Sequence, residues 1–391
     1  MIKDITLRAV AMGLLAAFVG YAASFAIVLA GLDAMGATPA QAATGLFFAT
    51  LGMGVCGLWL SVSTRIPAAV AWSTPGAAFL AGSGALPDGF GEAVGAMIAC
   101  AALIVITGVV PVLGRAVAAI PKPVANGLLA GVLLKLCFAP ALALGEIPGL
   151  VLPVLLAWLV GLRWNRLAAM PCAVIAFALV LMFTVDPGGA TSEDGRALLP
   201  DLALVTPVFT WQALISVALP LYLVTMAGQN IPGFAVLDLN GYRVERQPML
   251  LKTGLVSLAI APFGAIPVNM SAITAAIMAG EDAGPDPALR YWAAMICGLA
   301  YIGLACMAGL VAALASVAPA ALITAVAGLA LIPALVGSLS AAFSVPGQVE
   351  GPALTFLIAA SGMTLMGISG AFWGVLAGTI VWVVKARNAP R

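Results

Sequence analysis

Four short clusters of hydrogen-bonding residues sit inside otherwise apolar runs of this chain, and they set the chemistry open to it. One is Trp72, Ser73, Thr74, Pro75 and Gly76; a second is Asn269, Met270 and Ser271, which follow Ile266-Pro-Val. A third is Thr225, Met226, Gln229 and Asn230, and a fourth is Tyr21 with Ser24. Hydroxyls, amides and backbone N–H groups suit an anion or a polar molecule. The chain has no histidine, which excludes a histidine proton relay and histidine metal ligation. Acidic residues such as Asp33, Asp88, Glu92, Glu146, Asp238, Glu281, Asp286 and Glu350 fall near the ends of the apolar runs. No nucleophile is paired with a base, so an enzyme is not expected, and no metal or cofactor is implied. A carboxylate inside a span is the usual proton carrier or cation ligand. Its absence disfavours sodium or a cationic substrate and leaves any proton-carrying group unassigned.

The first two clusters carry helix-start signals. Pro75 suits the first turn of a helix, which needs no N–H there, and Ser73 or Thr74 suits the N-cap before it. Residues 75–83 therefore read as a half-helix beginning within the membrane, with 68–72 as an extended lead-in. In the second cluster Asn269 or Ser271 can cap a half-helix at 271–280. Two such N-termini facing each other each present about half a positive charge and unpaired N–H donors, which favours an anion. Thr225 and Gln229 are four apart and share a helix face. Two plainer alternatives exist: a local kink repaired by neighbouring helices at Ser73–Gly76, and polar contacts between helices for the third and fourth clusters.

These clusters need elements to hold them, and composition says which. The 391 residues are 63% hydrophobic and 8% charged, whereas a soluble domain carries about 25% charged residues. Uncharged runs include 9–32, 202–237 and the 59-residue run 291–349; a crossing takes about 20 residues. This is an all-α polytopic membrane protein. Pro, Gly and charge breaks divide it into fourteen candidate segments, from 9–32 to 370–387, those at 67–84 and 266–281 being interrupted. The first run is too long for a cleavable signal peptide. The six cysteines lie in apolar runs without a CxxC pair and read as small buried hydrophobes. With fourteen crossings, all of the 16 Lys and Arg except Lys135 and Arg196 fall on the side of the termini. The positive-inside rule makes that side cytoplasmic. Lys135, inside a span, is expected to snorkel outward toward Glu146.

The two halves repeat. Ala77-Ala-Phe-Leu-Ala-Gly82 aligns with Ala275-Ala-Ile-Met-Ala-Gly280 at an offset of 198, as do Ala96-Met-Ile98 with Ala294-Met-Ile296 and Pro121 with Pro319. An odd number of spans per half inverts the second half, so residues 1–186 and 209–391 are expected to form two inverted repeats of seven. The polar stretch 187–208 is the periplasmic linker between them. This is the pattern of a secondary transporter.

The stretches Ala71-Trp-Ser-Thr-Pro-Gly-Ala-Ala78, Leu219-Pro-Leu-Tyr-Leu-Val-Thr-Met-Ala-Gly-Gln-Asn230, Ala272-Ile-Thr-Ala-Ala-Ile277, Pro285-Asp-Pro with Arg290, and Ser369-Gly-Ala-Phe-Trp-Gly374 resemble the benzoate/proton symporter (BenE) family. The resemblance runs nearly the full length. It implies import of benzoate or a related aromatic carboxylate with protons across a bacterial inner membrane, by alternating access. The family in turn looks like the uracil-permease fold, which implies a short strand before each half-helix in segments 3 and 10. It also implies a core domain at 8–114 plus 209–314 and a gate domain at 118–186 plus 318–388, through which a homodimer can form. Where nucleobase carriers have acids in segments 8 and 10, this chain has Gln229, Asn230 and Asn269, which favours a substrate bringing its own carboxylate. The expected partners are that carboxylate, a proton and the lipid bilayer, with no nucleic acid. The carboxylate would sit between Thr74–Gly76 and Asn269–Ser271, with Gln229 and Asn230 as donors and Trp72, Tyr21, Met226 and Met270 against the ring. A nucleobase or inorganic-anion carrier on the same fold is the alternative, and an anion channel a more distant one.

Overall fold

The computed structural model describes residues 5–165, 168–184, 199–366 and 368–388. Its first half runs α1 (Leu7–Ala22), α2 (Phe25–Ala34), α3 (Pro39–Thr64), β1 (Val70–Trp72), α4 (Thr74–Ser83), α5 (Phe90–Val109), α6 (Pro111–Ala118), α7 (Lys122–Cys137), α8 (Ala139–Glu146), α9 (Pro148–Trp164) and α10 (Ala169–Thr184). The second half holds α11 (Trp211–Ala213), α12 (Leu219–Thr225), α13 (Ile231–Leu239), α14 (Arg246–Ile260), β2 (Val268–Met270), α15 (Ala272–Ala279), α16 (Tyr291–Ala305), α17 (Ala308–Val317), α18 (Ala320–Ala342), α19 (Glu350–Ser361), the hairpin β3 (Thr364–Leu365) and β4 (Ile368–Ser369), and α20 (Gly370–Asn388). Among the described residues seven helical runs are long and apolar enough to cross a membrane, and Pro148–Trp164, Ala169–Thr184 and Gly370–Lys385 are shorter apolar helices.

Local chemistry explains the breaks. Thr38 and Gln41 form a reciprocal capping box ahead of Pro39, which starts α3. The first apolar run, expected as one helix over 9–32, divides at Ser24, whose hydroxyl turns back onto the Gly20 carbonyl at 3.0 Å. The run expected over 288–314 likewise divides at Cys306 and Met307, between α16 and α17. From Trp211 to Leu239 the helix is continuous but contains two π-helical turns, Leu214–Ala218 and Met226–Asn230. A π turn inserts an extra residue and rotates everything beyond it.

The helices approach closely because glycines leave room. A Cβ on Gly54 would stand 2.6 Å from the Gly298 carbonyl oxygen, and one on Gly298 would stand 2.9 Å from that of Gly54. This lets α3 lie directly against α16, the close approach that small residues permit between membrane helices. In the same way α5 packs on α14, and α1 on α16. Elsewhere α7 packs on α18 and α19, and α19 on α20. Large apolar side chains face outward, among them Leu156, Leu159 and Val160 of α9 and Ile175, Leu179 and Met182 of α10. In water such a surface would aggregate; in lipid it is the expected exterior.

Of the expected linker at 187–208, the part up to 198 lies outside the described residues. The remainder runs along the start of α5, with Val208 N–H on the Gly91 carbonyl at 2.9 Å and Val205 N–H on that of Pro262 at 3.0 Å. Glu92, at the end of its apolar run in the sequence, is buried beneath this strap and accepts from the Asp88 N–H and the Thr210 hydroxyl. The six cysteines are free thiols; Cys56, Cys100 and Cys297 are buried, and Cys306 is exposed.

Candidate anion site

β1 and β2 pair antiparallel in the interior, Val70 with Met270, Ala71 with Asn269, and Trp72 with Val268. The central partners Ala71 and Asn269 stand 198 apart in the chain, which is the repeat offset, so repeat-equivalent positions meet at the middle of the ribbon. The ladder extends at both ends: Ser73 N–H donates to the Pro267 carbonyl at 2.9 Å and Ser271 N–H to that of Ala69 at 3.0 Å. Ser257 of α14 holds β2 from behind, its hydroxyl 2.9 Å from Val268 N and 3.1 Å from Val268 O. A helix leaves each strand, α4 after Ser73 and α15 after Ser271.

The two helix starts are not equivalent. Ser73 is the N-cap of α4, and its hydroxyl accepts from Gly76 N–H at 3.1 Å. Pro75 has no N–H, so Thr74 N–H is the one donor of that first turn without a partner among the described residues. At α15 the cap position falls on Ser271, not on Asn269, and the Ser271 side chain makes no capping bond. The N–H groups of Ala272, Ile273 and Thr274 therefore have no partner among the described residues. The Thr274 hydroxyl, 1% exposed, is unpaired as well. Free donors concentrate at α15.

The π turn at Met226–Asn230 changes which residues reach the ribbon. Thr225 and Gln229 do not act as a pair. Thr225, fully buried, shares a 2.7 Å hydrogen bond with the Ser73 hydroxyl. Asn230, five residues on and also fully buried, accepts from Met270 N–H at 3.0 Å and lies 3.4 Å from the Met226 sulfur. A five-residue spacing aligns side chains on a π turn as four does on an α-helix. Gln229 is half-buried, with no partner for its amide among the described residues. Asn269, fully buried, spans the ribbon: in the amide orientation that satisfies both its groups, its nitrogen donates to the Met270 carbonyl at 2.9 Å and its oxygen accepts from Ser73 N–H at 3.0 Å.

Aromatic groups close one side. The Tyr21 ring lies 5.4 Å from Trp72 and 5.9 Å from Phe25, centre to centre. Trp72 Nε1 donates to the Ser24 hydroxyl at 2.7 Å, and the Tyr21 hydroxyl is buried and unpaired. Met226 and Met270 are buried beside the ribbon. The structure thus brings together Trp72 to Gly76, Asn269 to Ser271, Thr225, Met226 and Asn230, with Tyr21 and Ser24 at the flank. Thr274 and Ser257 were not picked out from the sequence; each reads there as an ordinary hydroxyl in an apolar helix.

Two cavities lie apart from the ribbon. One of about 280 Å³ lies between α7 and the Leu219–Leu239 run, lined by Lys122, Asn126, Leu223, Ala227 and Pro232. The other, about 50 Å³, lies between the far end of α4 and α7, lined by Phe79, Ser83, Lys135, Met363 and Ser369. Lys135 points into this crevice beside Gly362 and makes no ion pair with Glu146 among the described residues.

The fold is shared with solved membrane transporters. Over 97% of this chain and 98% of the other, it matches the transmembrane domain of a cyanobacterium bicarbonate transporter, BicA, with a TM-score of 0.61 at 18% identity. Over 99% of this chain and 66% of the other, it matches SLC26A9 with a TM-score of 0.60 at 13% identity. The class is therefore a multi-pass membrane protein of the SLC26/BicA-like fold. The chain belongs to the BenE family, described as benzoate membrane transport protein, which it matches over residues 3–384. It is 36% identical to inner membrane protein YdcO of Escherichia coli over 382 residues, 97% of this chain and 96% of that one. It is 30% identical to the benzoate membrane transport protein of Acinetobacter baylyi over 386 residues, 98% and 97% of the two chains. That family is one of membrane transporters, not of enzymes.

Proposed function

We propose that the protein is a symporter that carries benzoate or a related aromatic carboxylate together with a proton across the bacterial inner membrane by alternating access. The observation that carries this reading is the uncapped start of α15. It offers three backbone N–H groups and a buried hydroxyl that have no partner among the described residues. A carboxylate placed there accepts from Ala272 to Thr274 and from the Thr274 and Ser271 hydroxyls. Thr74 N–H and the Gln229 amide reach it from the other side. Tyr21, Trp72, Met226 and Met270 supply apolar area for a ring. Ser73, Thr225, Asn230 and Asn269 hold the two helix starts in place and leave their backbone donors free.

In this reading the chain crosses the membrane fourteen times as two inverted sevens, and α4 and α15 are the half-helices. The repeat offset at the centre of the ribbon supports an internal two-fold axis there. Helices α1–α5 with α11–α16 make the core domain and α7–α10 with α18–α20 the gate domain, which also pairs two copies. Both termini are cytoplasmic. The cavity beside Lys122 then opens to the cytoplasm and the narrow crevice beside Lys135 to the periplasm. The proton travels with the weak acid, because Glu92, the one buried carboxylate among the described residues, is already engaged by the Asp88 N–H and the Thr210 hydroxyl.

The test is uptake of labelled benzoate by proteoliposomes, with unlabelled uracil, bicarbonate and sulfate as competitors. Saturable uptake resistant to all three is expected. Displacement by uracil or by an inorganic anion would transfer the assignment to that substrate.

A further inference from the structure

Arg290 follows α15 and is one of two formally charged residues buried among the described ones, Glu92 being the other. It forms no ion pair with a described carboxylate. Its Nε donates to the Gly284 carbonyl at 2.7 Å, and Nη1 donates to the Ala279 carbonyl at 2.7 Å. Ala279 is the last residue of α15. A full positive charge is therefore fixed on the last carbonyl of the helix whose N-terminal donors are free, and Gly284 in the turn beyond holds it there. The nearby acids Glu281, Asp282 and Asp286 are exposed to water, and Asp286 is engaged in capping the Ala288 N–H at 2.9 Å.

Burying a guanidinium without a counter-ion is costly, and neutral donors suffice to tie off two carbonyls. The charge itself has a use. A bare helix carries about +0.5 at its N-terminus and about −0.5 at its C-terminus, and the far pole weakens the attraction of the near one for an anion. A unit charge at the far pole turns it to about +0.5. The eight residues of α15 separate the ends by about 12 Å. At an effective dielectric constant of about 20, a unit charge at that distance changes anion affinity about tenfold. We infer that Arg290 is a positioning residue that supplies the formal positive charge of the anion site through α15 and sets its preference for an anion over a neutral isostere. This rests on the reading that an anion occupies the start of α15.

The test compares the full-length protein with R290K and R290Q by calorimetric binding of benzoate, benzamide, bicarbonate and sulfate, after each variant is shown to be monodisperse. R290Q is expected to bind the anion that the wild type holds about tenfold more weakly. R290K, which keeps the charge, stays within about threefold, and any benzamide binding is unchanged. Equal losses in R290K and R290Q, a parallel loss of benzamide, or an unaltered R290Q would each overturn the inference. If the wild type binds bicarbonate or sulfate but not benzoate, the aromatic-substrate reading fails while the comparison on that anion still decides the role of Arg290. If it binds no anion, both readings fall.

Discussion

At the scale of single residues, the interior polar groups divide into those already bonded and those left free. Ser73 belongs to the first kind: it caps α4 and shares a hydrogen bond with Thr225. Ser73→Ala removes a cap worth about 1 kcal/mol and leaves Thr225 unpaired in the interior. We expect a loss of about 2 kcal/mol in stability, read as a lower unfolding temperature in detergent. Thr274 belongs to the second kind. A buried unpaired hydroxyl costs roughly 1–3 kcal/mol, so Thr274→Val is expected to leave stability equal or higher while weakening carboxylate binding about tenfold. Unchanged affinity in that variant would remove Thr274 from the site. Gln229→Leu is expected to abolish uptake and preserve the fold, because the half-buried amide has no partner to lose. Normal uptake by that variant would exclude Gln229.

At the scale of elements, the interruption at Ser73–Gly76 was legible in the sequence because Pro and Gly seldom stand together inside a span. The offset of 198 was legible for a similar reason, since it linked a second interruption to the first. The π turn was not, since nothing in Met226-Ala-Gly-Gln-Asn230 signals an extra residue; a four-residue spacing from Thr225 points to Gln229, whereas in the structure Asn230 bonds the ribbon. Nor was the burial of Glu92 legible, because the strap covering it comes from residues more than a hundred positions away. Asn269 shows how this alters an experiment. Read from sequence it is a candidate helix cap beside the substrate, but its amide joins the ribbon to Ser73 and Met270. Asn269→Leu should therefore destabilise the protein by roughly 1–3 kcal/mol, and lost uptake there would report the ribbon and not the ligand. The crossing of α3 and α16 is equally exacting. Gly54→Leu drives a side chain into the Gly298 backbone, an overpacking that costs about 3 kcal/mol, and monodisperse protein should no longer be recovered.

At the scale of the whole molecule, the outward apolar surface, the seven long apolar runs and the SLC26/BicA-like fold place the chain in a membrane. Membership of the BenE family places it among transporters. The proposed mechanism adds that a carboxylate meets the start of α15, that a proton accompanies it, and that the cavity beside Lys122 and the crevice beside Lys135 open in alternation. Because benzoic acid crosses lipid unaided, the rate distinguishes carrier from bilayer and the final accumulation does not. The decisive measurement is the initial rate of labelled benzoate uptake by proteoliposomes, with protein-free liposomes subtracted, with and without an imposed inward proton gradient. The gradient is expected to raise that rate several-fold and a protonophore to abolish the increase. A saturable protein-dependent rate indifferent to the gradient would contradict proton coupling, and no protein-dependent uptake by folded protein would contradict benzoate as the substrate.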